Sequence, residues 1–221
     1  MKHITTALDR NSPRTLPATA LLAAFLILLS FTPFGYLRIG VISMSLLMIP
    51  AAVGAVTCGI RSAVFLGGLF GLTSFVQCFG IDSLKAFMYS VSPVRTAIIC
   101  LLPRLLAGLC IGLIARRARA LGLCSYAICG FCGAVCNSVF FFSTLVVCFW
   151  QNPAFMSEMT ERGVQTDSLF TFFTSFVGFN FMFEALVCFA VTFLIGWMME
   201  RAGMISAVNP FEHHPKGLLN R

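Results

Sequence analysis

Two ionisable side chains, Arg104 and Glu184, stand inside strongly apolar stretches of this 221-residue chain. Such groups are costly in lipid and face a cavity, a partner or each other. Arg95 lies nine residues before Arg104, about two and a half helical turns, and can point into the same space from above. Asn137 is a further polar side chain within an apolar run, and Asn180 stands four residues before Glu184, on the same helix face. The chemistry open to such a set is recognition. Arginine surplus, with Arg95 and Arg104 supported by Arg38 and Lys85 in the flanking segments against a single Glu184, favours an anionic organic solute. Tyr36, Phe87, Tyr89, Trp150 and Phe179 are aromatic residues able to cover it. Against this stands a structural reading, in which Arg104 and Glu184 form a buried ion pair that only locks two helices together. The aromatics are then ordinary packing and interface residues.

Other chemistries are poorly served. The three histidines are His3, His213 and His214, all near the ends of the chain, so no Ser-His or Cys-His nucleophile lies among the apolar segments. Cys129 and Cys132 make a C-x-x-C without a second half or a neighbouring histidine, which argues against a metal site. Most of the ten cysteines lie within apolar blocks and read as small, soft packing residues. The lysines are Lys2, Lys85 and Lys216, none after a glycine, so there is no phosphate-binding loop for ATP. Neither a metal nor a cofactor is expected.

These residues are carried by an integral membrane protein. Hydrophobic residues make up 58% of the chain and charged residues 10%, which leaves too little polar surface for a soluble globule. At roughly 20 residues per crossing, the length suits an all-α bundle of six transmembrane helices. The expected spans are Pro17 to Phe31, Val41 to Cys58 with an interruption at Pro50, Ser62 to Phe79, Val94 to Ala115, Leu123 to Trp150 and Phe170 to Met199. Phe31 to Gly40 reads as a structured turn, Gly80 to Pro93 and Gln151 to Asp167 as polar loops, and Gly59 to Arg61 as a tight connection. This divides the chain into an N-terminal segment (1–16), a membrane domain (17–200) and a C-terminal tail (201–221). The first apolar stretch reads as a retained helix, not a cleaved signal.

The net charge of +7 is then a topology signal and not a nucleic-acid surface. With six spans, Lys2, Arg10, Arg14, Arg61, Arg116, Arg117, Arg119, Arg201, Lys216 and Arg221 share one side, and only Arg38, Lys85 and Arg162 the other. Both termini are expected in the cytoplasm. By the helical rise, Arg104 stands about 18 Å above Arg116, Asn137 about 21 Å above Leu123 and Glu184 about 24 Å above Glu200, so the three fall within about two turns of one depth, in the outer half. Small residues mark close helix approach at Gly67, Gly68 and Gly71, and at Gly108 and Gly112. The Ala20-x-x-x-Ala24 face, with Ala23 beside it, lies on an end helix and could be offered to another membrane protein.

The segment FTPFGYLRIG from Phe31, its continuation VISMSLLMIPAAVGAVTCG and the run GGLFGLTSF from Gly67 resemble the opening half of substrate-binding S components of energy-coupling factor (ECF) vitamin transporters. Ser92-Pro93, PRLLAG from Pro103 to Gly108, Asn137-Ser138, and Asn180 with Glu184 agree in order and spacing, so the likeness runs from about Leu21 to Met199. One departure concerns the second span, where members often carry an asparagine and this chain has Ser43 or Ser45, which bears on the ligand's identity.

The resemblance implies a multi-pass protein of the bacterial cell membrane that captures a vitamin or its precursor at the outer face. It makes Tyr36, Arg38 and the segment Lys85 to Ser92, with Tyr89, gate residues over the ligand. It makes Ala20, Ala23 and Ala24 the docking face for a transmembrane coupling subunit, with two ATPase subunits supplying energy. The phrase around Phe31 to Pro50 and the arginine surplus fit the pantothenate-type subgroup. Two rivals are a self-sufficient secondary transporter or channel, for which no internal repeat is visible, and an intramembrane enzyme, which the missing histidines disfavour.

Overall fold

The protein's structure, a computed structural model, describes residues 15–32, 36–39, 42–176 and 178–201, with backbone alone at 36–39, 42–45, 119, 176 and 178–180. Most of both terminal segments, and the side chains of Tyr36, Arg38, Phe179 and Asn180, lie outside the described residues. Nine helices are described: α1 (Thr15–Ser30), α2 (Met48–Thr57), α3 (Ile60–Val76), α4 (Ser83–Val91), α5 (Pro93–Ala118), α6 (Cys124–Phe149), α7 (Pro153–Glu161), α8 (Leu169–Phe176) and α9 (Gly178–Arg201). An antiparallel hairpin of β1 (Tyr36–Ile39) and β2 (Ile42–Ser45) precedes α2. Three helical segments are long and apolar enough to cross a membrane: α5, α6 and the part of α9 from Phe181 to Arg201. Helices α1, α2 and α3 are apolar but shorter.

Several expectations are corrected. The structured turn after α1 extends into what the sequence reading assigned to the second span: Tyr36 pairs with Ser45 and Arg38 with Ser43 across the hairpin. Ile42, Ser43, Met44 and Ser45 alternate apolar with polar, the period of a strand and not of a lipid-facing helix. What remains of that span is α2, 10 residues long and so about 15 Å, half the thickness of a bilayer core. Pro50 does not interrupt it; it sits in the first turn, where its missing N–H costs nothing. Both polar loops contain helices. Asp82 caps α4, its Oδ1 accepting from Leu84 N at 3.1 Å and Lys85 N at 3.3 Å, and Asn152 caps α7 by accepting from Phe155 N at 3.2 Å. The last expected span holds α8 and α9, with residue 177 between them outside the described residues.

Helix α2 is the centre of the bundle. Residues Met48 to Ala55 are all buried, and α2 touches α1, α3, α5, α6 and α9. Around it, α1 packs on α3, α3 on α5, α5 on α6 and α6 on α9, the α3–α5 seam being the most extensive. Glycine makes that seam. A methyl group on Gly67 would stand 2.5 Å from the Arg104 carbonyl oxygen, one on Gly71 2.9 Å from that of Cys100, and one on Gly108 2.6 Å from that of Ala63. The backbones are therefore in direct contact, the packing that small residues allow between membrane helices. Gly59, at φ 91°, makes the reversal from α2 into α3 that a side chain would oppose. A second buried cluster, including Met88, Phe142, Phe149, Phe155, Met159 and Phe172, joins α4, α6, α7 and α8.

Candidate functional site

Arg104 is held by a defect in its own helix. Pro103 has no N–H, so the carbonyl of Ile99, four residues earlier, lacks its helical partner. Arg104 Nη1 donates to that carbonyl at 2.6 Å. Its guanidinium also lies over the rings of Phe70, 5.3 Å from the centroid, and Phe141, 4.8 Å away. The residue is 6% exposed, and its Nε has no hydrogen-bond partner among the described residues. The seam just described fixes the backbone beneath it, since Gly67 abuts its carbonyl. Among the described residues the guanidinium thus contacts a carbonyl and two rings, which is not the Arg104–Glu184 pair of the structural reading.

A second cation comes to the same region from α4. Lys85 Nζ donates to Gln77 Oε1 at 2.8 Å and lies 3.7 Å from Asp82 Oδ2. Burial holds its amine below the ordinary lysine range; Asp82 opposes that shift, and the positive charge of Arg104 adds to it. Lys85 and Arg104 are therefore electrostatic neighbours although 19 positions separate them in the chain. Beside them Cys78 Sγ and Cys100 Sγ stand 3.9 Å apart, both buried. The C-x-x-C cysteines are elsewhere, on α6, and no group of three or more metal-ligating side chains occurs among the described residues.

The other candidates fall into four groups. Asn137 on α6 and Glu184 on α9 are both buried, on helices that pack against each other, and Asn137 Oδ1 has no hydrogen-bond partner among the described residues. Arg95 is exposed at the start of α5 and donates to the Cys148 carbonyl on α6 at 3.0 Å, so it ties the start of α5 to the end of α6. Tyr89 packs in an aromatic group, 5.1 Å from Phe79 and 6.0 Å from Phe75 between centroids. Tyr36 and Arg38 belong to β1, and Asn180 to the first turn of α9, four residues before Glu184.

Reading the sequence missed the polar string that supports Lys85. Gln77, 2% exposed, donates through Nε2 to the carbonyl of Ser30 at 2.8 Å, and Ser30 Oγ is 3.1 Å from Thr73 Oγ1. The available signal was a glutamine inside an apolar block, and its partners 47 and 8 positions away carry none. On α1, Ala20 and Ala24 are exposed and Ala23 is half-buried. That helix is bonded to α3 through Thr19 Oγ1 and Ser62 Oγ, 2.8 Å apart, and at its other end through Ser30.

A family model described as "ECF transporter, substrate-specific component" matches residues 14–196. No curated protein matches the chain.

Proposed function

We propose, from the premise that this chain belongs to the family of ECF transporter substrate-specific components, that it captures a small acidic vitamin or precursor, pantothenate being the first candidate, at the outer face of a bacterial membrane. The observation that carries this reading is the approach of half-buried Lys85 on α4 to buried Arg104 on α5, with Asn137 buried on α6, the helix whose Phe141 packs on the same guanidinium. A carboxylate accepts from ammonium and guanidinium, and a hydroxyl or amide of the same molecule can donate to Asn137. Glu184 and Asn180 line the α9 side, and Tyr36, Arg38 and Tyr89 sit on the segments that close over the ligand. Arg95 belongs to the rim.

In this reading α1, α3, α5, α6 and α9 cross the membrane, α2 with the hairpin before it takes the place of the second of six spans, and both termini face the cytoplasm. The protein is a transport subunit and not an enzyme. Ala20, Ala23 and Ala24 receive a transmembrane coupling subunit, and two ATPase subunits supply the energy. Mass spectrometry of small molecules that co-purify with the full chain tests the ligand. A carboxylate-bearing vitamin, retained by wild type and lost from Arg104→Ala, is the expected result. Retention of the same molecule by that variant would remove Arg104 from the site. Uptake by vesicles that hold this chain alone would favour a self-sufficient transporter.

A further inference from the structure

Gln77 sits where three elements meet. Its side chain donates to the last carbonyl of α1, Ser30 O, and accepts from Lys85 Nζ on α4, both at 2.8 Å. Its own carbonyl accepts from Ile81 N at 3.2 Å and Asp82 N at 3.1 Å, so the residue that ends α3 also places the cap of α4. A primary amide offers an acceptor to an ammonium and a donor to a carbonyl from two separate atoms, and those two neighbours dictate which end is oxygen. At 2% exposure no water replaces either bond cheaply.

We propose that Gln77 is a positioning residue that sets Lys85 in the capture site and, through the same amide, ties that lysine to the end of α1. This rests on the capture reading, in which Lys85 meets the ligand's acid group and α1 meets the coupling subunit. Occupation of the site then pulls on Lys85, and the amide passes the displacement to Ser30 and so to the end of the helix that carries Ala20 and Ala24. Among the described residues the charged and titratable groups facing Lys85 include Asp82 from the start of α4, Arg104 and Cys100 from α5, and Cys78 from the turn after α3.

The test uses the full chain in detergent, without ligand or coupling subunit. Lys85 acylation by acetic anhydride is followed by peptide mass spectrometry across pH, and amide exchange is followed in the peptide covering the end of α1. Gln77→Leu removes both bonds. Without its acceptor, the ammonium loses stabilisation, and Lys85 reacts about threefold or more faster at a fixed mildly alkaline pH. Gln77→Glu gives Lys85 a carboxylate but offers Ser30 no donor, so acylation slows by about threefold or more. Exchange at the end of α1 speeds up in both. Thr73→Val, which removes the hydroxyl that meets Ser30 Oγ and the Phe70 carbonyl and keeps the Gln77 amide in place, leaves acylation unchanged. Movement of Lys85 in the same direction in both Gln77 variants, or in neither, overturns the proposal. So does unchanged exchange at the end of α1. If Gln77→Leu fails to fold, Gln77→Asn, one methylene too short to span both partners, takes its place with the same expected direction. Because no ligand or partner is present, these outcomes leave the capture reading standing or falling on co-purification alone.

Discussion

Helix α3 has two neighbours that it treats in opposite ways. Against α5 it offers Gly67 and Gly71, and the two backbones touch with no room for a methyl group. Against α1 it makes a hydroxyl contact near each end, Thr19 with Ser62 and Ser30 with Thr73, while much of α1 faces outward, Leu21 being 73% exposed. The first seam gains from dispersion along its whole length and tolerates no displacement. The second is tied by few directional bonds. In the proposed reading a capture subunit uses both, a fixed helix for the cation that reads the ligand and a lightly tied one for the partner that moves it.

The contrast can be broken most severely at the glycines. Gly67→Leu should force α3 off Arg104 at a cost of about 3 kcal/mol or more, seen as loss of monodisperse protein in detergent. A tryptophan at the α1 positions, Ala20→Trp or Ala24→Trp, should leave ligand capture intact and abolish ATP-driven uptake; normal co-purification of a coupling subunit with these variants would refute the docking role. Arg104→Ala should weaken an acidic ligand by about tenfold or more and also orphan the Ile99 carbonyl. Adding Pro103→Ala restores an N–H for that carbonyl, so the double variant should recover about 1 kcal/mol of stability and none of the affinity. Recovery of affinity would mean that Arg104 serves only its helix.

Smaller effects come from Lys85 and Thr19. In the proposed site the lysine binds an anion while protonated, and burial makes its amine lose that proton at lower pH than an ordinary lysine. Affinity should therefore fall as pH rises through that lowered value, and Lys85→Arg, which stays charged, should flatten the alkaline limb in a titration of ligand binding. Thr19→Val should cost about 1 kcal/mol or less in thermal unfolding, since only one hydroxyl contact to α3 is lost.

Much of the contrast is legible without coordinates. The α1 alanines, the α3 and α5 glycines, and Arg104 with its neighbour Pro103 are all apparent in order along the chain, because composition and helical spacing place small and charged residues on faces. The loops were harder to read. Alternation in ISMS was hidden in an apolar run long enough to pass for a span, and α4 and α7 are short helices whose caps, Asp82 and Asn152, sit in segments that look merely polar.

From the sequence alone follow a membrane protein, its likeness to one transporter family, the polar side chains set in apolar runs, and the small-residue faces. These depend on local composition and on a helix of known rise, which need no partner to define them. Which side chains meet was decided by the tertiary structure. Lys85 reaches the neighbourhood of Arg104 because Gln77 turns the chain and α4 folds back, and the guanidinium turns to Ile99 because a proline left that carbonyl open. Such meetings depend on the direction of one turn and on hydrogen bonds between residues far apart in the chain, and neither is written in spacing or hydropathy.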